Sequence, residues 1–106
     1  MGTARKLESG VASPEKREIT PQFTLQGRKY AFRAPIHVTI EQEDGVLIAC
    51  ADYKLYGHGS DFQEANECLL EAFAFLYEQY ALEDDSMLSR KARALKQRLL
   101  NEVAHG

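Results

Sequence analysis

The chain has little cysteine: two residues, Cys50 and Cys68, among 106. Two thiols supply neither a disulfide framework nor a zinc site, so both are expected to be free in a reducing cytosol. Long apolar runs are missing as well. None approaches the ~18 residues that a membrane span requires, which excludes transmembrane anchoring. The opening MGTARKLESG has no apolar stretch and predicts no secretory leader. Neither an H-x-x-x-H nor a C-x-x-C pair occurs, so no metal site is expected. Gly57-His58-Gly59 lacks the strand-to-helix spacing of a phosphate loop, and its glycines read as serving a turn with positive φ. No cofactor is expected. Net charge is small, -3, which argues against a chain wrapped uniformly in nucleic acid.

What is there is an ordinary globular composition, 44% hydrophobic and 27% charged. The length suits one domain with one core. Residues 1–17 carry few and unperiodic apolar groups, so a disordered tail is expected there and a single domain over 18–106.

From Phe23 the pattern has period two. Phe23 and Leu25, then Tyr30 and Phe32, predict a hairpin turning at Gln26-Gly27. Ile36, Val38 and Ile40 alternate with His37, Thr39 and Glu41, and Asp44-Gly45 follows as a two-residue turn. That turn would place Ile40 opposite Ala49, Val38 opposite Ala51 and Ile36 opposite Tyr53. Leu47 would join their apolar face. Ile48, Cys50 and Asp52 would join the polar one, with His37 facing Asp52. Tyr56 to Ser60 reads as a loop.

Asp61-x-x-Glu64 is a capping box opening a helix from Phe62 to about Leu82. Its stripe is Phe62, Ala65, Leu69, Phe73, Leu76 and Tyr80, widened by Cys68, Ala72 and Phe75. The arc also takes in Leu70, Ala74 and Tyr77 and exceeds what one sheet face covers. A second helix, a second subunit or a partner would cover it, and a homodimer, the commonest closed assembly, is the expectation. Ser86 is the expected cap of a last helix over about Met87–Val103, with Leu88, Ala92, Leu95, Leu99 and Val103 inward.

Charge is segregated along the chain. Residues 61–85 hold eight acids and no base, whereas residues 86–106 hold five bases and one acid. Glu64, Glu67, Glu71 and Glu78 are therefore candidates for meeting a basic partner. Arg90, Lys91, Arg93, Lys96 and Arg98 are the candidates for phosphate contact. The alternative for both sets is a solvated helix face, or mutual attraction of the two helices. His37 and His58 are the residues a small hydrolase would use, but no nucleophile–base–orienter set accompanies them. No catalytic residue is assigned.

The segments VTIEQEDGVLIACAD and LYGHGSDFQEANECLLEAF resemble the HicB-like antitoxin domain over about residues 36–80. Glu43-Asp44-Gly45 matches the family's turn. Gly59, Ser60, Asp61, Glu64 and Ala65 match its helix start, with Asp61 in place of the threonine cap. The resemblance implies a sheet-and-helix fold, partly like a double-stranded-RNA-binding domain, that sequesters a small RNA-cleaving toxin. Only one helix follows, so the DNA-binding segment of longer members is not expected.

The fold expected is α+β: an antiparallel meander of three or four strands under one long helix, plus a second C-terminal helix. The function expected is a non-enzymatic, cytoplasmic protein-binding module, a homodimer with a small basic toxin-like partner. A nucleic-acid-binding protein using the basic C-terminal helix is the alternative, and a small hydrolase the third reading.

Overall fold

The computed structural model describes residues 15–105, and the architecture is α+β. In chain order come β1 (Glu15–Ile19), β2 (Gln22–Leu25), β3 (Arg28–Phe32), β4 (Ile36–Gln42), β5 (Val46–Cys50) and β6 (Leu55–Gly59). Then follow α1 (Phe62–Leu76), extended by a π-helical turn over Tyr77–Ala81, a 3-10 turn at Asp85–Met87, α2 (Arg90–Glu102) and β7 (Val103–His105). The strands form a four-stranded antiparallel sheet ordered β1-β4-β5-β6 and a three-stranded one ordered β2-β3-β7. The meander β4-β5-β6 lies under α1.

The expected tail falls largely outside the described residues, but residues 15–17 belong to β1, where Arg17 pairs with Val38. Backbone pairing with β4 orders this segment despite its polar side chains, and Arg17 lies over the Phe62 ring at 5.6 Å.

The Gln26-Gly27 hairpin is as expected. Both residues have positive φ, and Leu25 faces Arg28 across a two-residue turn. The second hairpin differs from expectation by one residue. Its loop is Glu43-Asp44-Gly45, with Asp44 at φ 56° and Gly45 at 121°. Ile40 therefore faces Ile48, and Thr39 faces Ala49. A slip of one exchanges the two faces of the strand. Ile48 and Cys50, expected outside, are buried in the core, while Leu47 and Ala49 face outward. This arrangement fills the space beneath α1 with the larger side chains, which is the favourable burial. The same shift takes Asp52 out of register with His37, which on its β1 side faces Glu18.

The expected loop at Tyr56 is the strand β6. Gly57 and Gly59 do not serve a positive-φ turn; they lie where a side chain would collide with α1. Along α1 the buried row is Ala65, Leu69, Phe73, Tyr77 and Ala81, every fourth residue. A row with that spacing winds round the helix. Its early members pack on the four-stranded sheet, and Tyr77 reaches the other sheet, 4.7 Å from the Tyr30 ring and 5.8 Å from Phe23. Two sheets thus cover much of the arc that a single face could not. Leu70 and Ala74 are partly buried against the core, whereas Phe75 stays 63% exposed.

The last helix starts later than expected. Ser89, not Ser86, is its cap, accepting from the Ala92 N–H at 3.2 Å. It also ends in a strand: Val103–His105 pairs with β3. Leu99 and Val103 are buried and Leu95 half-buried, as the stripe requires.

Candidate functional site

The acidic candidates divide by position. Glu64 belongs to the helix cap: its N–H donates to Asp61 Oδ1 at 2.8 Å, and its own Oε1 accepts from the Ser60 N–H at 2.7 Å. Glu78 Oε2 accepts from Gln26 Nε2 at 3.1 Å, tying the end of α1 to the first hairpin turn. Glu67 and Glu71 are exposed and make no hydrogen bond or ion pair among the described residues. They form one wall of a groove of about 380 Å³ between α1 and β2, floored by Leu70 and Ala74 and closed by Gln22 and Thr24. A second cavity of about 290 Å³ shares Gln22 and Leu70 and continues past Asn66 and Phe62.

β2 is one of the two edge strands of its sheet, and no strand pairs with its outer side among the described residues. Its free N–H and C=O groups offer a template for an added strand. Pattern reading finds the strand but not its place at the edge, because edge position is set by which strands pair across the chain.

The basic candidates divide too. Lys96 Nζ donates to the Glu83 carbonyl at 2.6 Å and pairs with Asp85 Oδ1 at 2.8 Å, with its side chain only 16% exposed. That bond holds the Asp85 carboxyl below the usual carboxylate range, and the Lys96 charge adds to it. Arg98 Nη1 donates to the Asp52 carbonyl at 3.2 Å, pairs with Glu102 at 3.3 Å, and lies 4.6 Å from the Tyr53 ring centroid. Burial would lower the Arg98 pKa, but Glu102, Tyr53 and Asp52 together raise it. Two of the five bases are therefore internal ties. Arg90, Lys91 and Arg93 are exposed in the first turn of α2, where the helix dipole disfavours cations.

The expected attraction of the acidic and basic segments takes this specific form, Lys96 gripping the Glu83–Asp85 link, rather than a ladder of pairs along the two helices.

Beside Arg98, the Tyr53 hydroxyl donates to Glu102 Oε1. Burial first, and Glu102 second, push the Tyr53 phenol well above its ordinary value. Cys50 is likewise pushed up by burial, the state of an inert core thiol.

His37 and His58 both stand on the outer face of the four-stranded sheet, on β4 and β6, and His105 edges against the Tyr30 ring at 6.0 Å. His37 Nε2 is 3.6 Å from Glu18 Oε2. Among the described residues no three His, Cys, Asp or Glu converge as metal ligands would. No helix is long and apolar enough to cross a membrane.

No family model matches the chain, and no curated protein or solved structure matches it. The functional reading therefore stands on the groove beside α1 and on the sheet faces.

Proposed function

We propose that this protein is a non-enzymatic protein-binding module that holds a small basic partner along the α1–β2 groove. The observation that carries this reading is the coincidence of three features there. Among the described residues Glu67 and Glu71 have no partner and no strand pairs with the outer side of β2, while Leu70 and Ala74 give an apolar floor. Charge speeds the encounter with a basic chain, the floor contributes affinity, and strand addition fixes direction. The resemblance to HicB-like antitoxins suggests the partner class, a small RNA-cleaving toxin, and the two free thiols, Cys50 and Cys68, suit the cytosol.

In this reading the module is a homodimer through the exposed side of α1. Phe75 and Leu82 lie seven residues apart and are 63% and 49% exposed. Surface of this kind is suited to a two-fold contact.

The reading predicts that the adjacent reading frame encodes a small basic protein, and the test is co-expression with that product, followed by calorimetry on the purified pair. Glu67→Lys with Glu71→Lys should slow association and weaken binding by at least tenfold. Glu41→Lys with Glu43→Lys, on the β4–β5 hairpin, should change little. A complex indifferent to the α1 reversal, or no complex at all, refutes the reading. Light scattering on Phe75→Ser tests the dimer independently, with a monomer mass expected.

A further inference from the structure

We propose that the outer face of the four-stranded sheet binds single-stranded nucleic acid, with Tyr56 as the stacking platform and Lys16 and Lys54 as the phosphate contacts. This site lies on the opposite face of that sheet from α1 and is separate from the basic helix α2.

The geometry begins with register. Lys16 faces Thr39, Thr39 faces Ala49, and Ala49 faces Tyr56, one residue from each strand in a single row. At about 4.8 Å per strand spacing the row spans about 14 Å. Its ends are long side chains and its middle is small, so it forms a trough of about 700 Å³. Gly57 presses against α1, so its neighbour Tyr56 points the other way, where it is 61% exposed. A strand face given to water normally carries polar side chains. Here it carries an exposed ring above an alanine and threonine floor that the core does not use.

The charges of the trough are uneven. Asp52 lines the trough and shares Arg98, at 3.7 Å, with Glu102, while Glu18 stands beside His37 outside the lining. Lys16 and Lys54 line the trough and make no ion pair among the described residues. Glu41 stands two residues beyond Thr39 on the same face, outside the lining. Two cations without an ion pair among the described residues therefore flank a mostly apolar trough in a protein of net charge -3.

An occupant must offer a flat apolar surface to Tyr56 and anions to both lysines. A base stacks on an aromatic ring, and the backbone supplies phosphates in succession. Lys16 is on β1 and Lys54 adjoins β6, so a strand crossing the sheet meets them with different phosphates, which a single nucleotide does not. A duplex hides the faces of its bases, so the single strand is favoured. An acidic peptide supplies the charge without the flat rings.

The experiment is fluorescence anisotropy with a labelled oligouridine of about eight nucleotides, within the span usual for such sites. Binding is expected at about 50 mM salt, with a log–log salt slope near -1.4 for two phosphates at ~0.7 each. Lys16→Gln with Lys54→Gln should remove that slope. Tyr56→Ala should weaken binding about tenfold, while Tyr56→Phe keeps it. All these side chains are exposed, so thermal melts should stay unchanged and confirm folding. Arg90→Ala with Arg93→Ala should bind as the parent does. No binding at low salt overturns the proposal. So does loss only in the Arg90/Arg93 variant, equal affinity for a duplex, or displacement by polyglutamate at equal charge concentration.

Discussion

Gly57 of β6 stands so close to Ala65 of α1 that a Cβ on the glycine would fall 2.3 Å from the Ala65 carbonyl oxygen. The same Cβ would lie 2.4 Å from the Leu69 backbone nitrogen. Both obstacles are backbone, which cannot swing aside. Helix and strand therefore pack at a distance only glycine permits. Gly57→Ala is expected to cost about 3 kcal/mol or more, the upper range of overpacking. Gly27→Ala is the comparison: φ there is +79°, but nothing lies within 4 Å of the added atom. It should cost about 1 kcal/mol through backbone strain alone. Urea midpoints measure both, and equal shifts would refute the close-packing account.

Phe73 is 1% exposed and meets Phe32 and Tyr53 edge to face, at 5.2 and 5.6 Å. Phe73→Ala should cost roughly 3–5 kcal/mol. Glu71 is two residues away and exposed, so Glu71→Ala should cost under about 0.5 kcal/mol. Similar losses would contradict the helix orientation.

The elements of this fold were legible where a local rule decides them. Gln26-Gly27 forms its turn because glycine accepts positive φ, and Asp61-x-x-Glu64 caps α1 because its chemistry is confined to one helical turn. Register was not local. Asp44-Gly45 suits a two-residue loop, yet a three-residue loop puts Ile48 rather than Ala49 beneath α1. The choice rests on burial that only the packed helix supplies. β6 was hidden for the same reason: Gly57 and Gly59 read as turn residues until a helix backbone is laid on them. The C-terminal strand follows a helical stripe without a break, and only pairing with Tyr30 and Phe32 reveals it. Of the candidate site, Glu67 and Glu71 were found by charge segregation. The open β2 edge and the Lys16–Tyr56 row depend on which strands lie side by side. Lys96 and Arg98 looked like members of a phosphate-binding face because their acceptors, Glu83 and Asp52, lie 13 and 46 residues away.

Lys96 and Asp85 give the acid limb of stability a specific contributor. The Asp85 carboxyl is held below its ordinary value by the Lys96 hydrogen bond. A group depressed in the folded state stabilises above its unfolded pKa, about 3.9, and that contribution is lost as pH falls through the folded value. Asp85→Asn should therefore leave the stability difference from the parent largest near neutral pH and shrinking below about pH 4. The pair is exposed on the carboxylate side, so high salt should diminish the difference as well. Chemical denaturation from acid to neutral pH measures it, and a difference constant across that range would refute the pairing.

Tyr53 governs the opposite limb. Its ring is 6% exposed, packed edge to face on Phe32 at 5.8 Å, and its hydroxyl donates to Glu102. Ionising it would strand a phenolate in the core beside a carboxylate, so burial and Glu102 both raise its pKa. A group raised in the folded state stabilises fully below its unfolded value, about 10, and the contribution falls as pH climbs above that point. Tyr53→Phe keeps the packing and the Arg98 stacking but removes the donor, leaving Glu102 to Arg98 at 3.3 Å. Near neutral pH the variant should lose roughly 1.5–3 kcal/mol, the worth of a hydrogen bond to a charged acceptor. Above about pH 10 the parent weakens with pH more steeply than the variant, so the two stability curves approach one another. Tyr77, raised by burial and by Tyr30, accounts for the slope that remains in the variant. Denaturation midpoints taken from neutral to alkaline pH decide the matter: converging curves are the expected result, and parallel curves would show that the Tyr53 proton is not held by the fold.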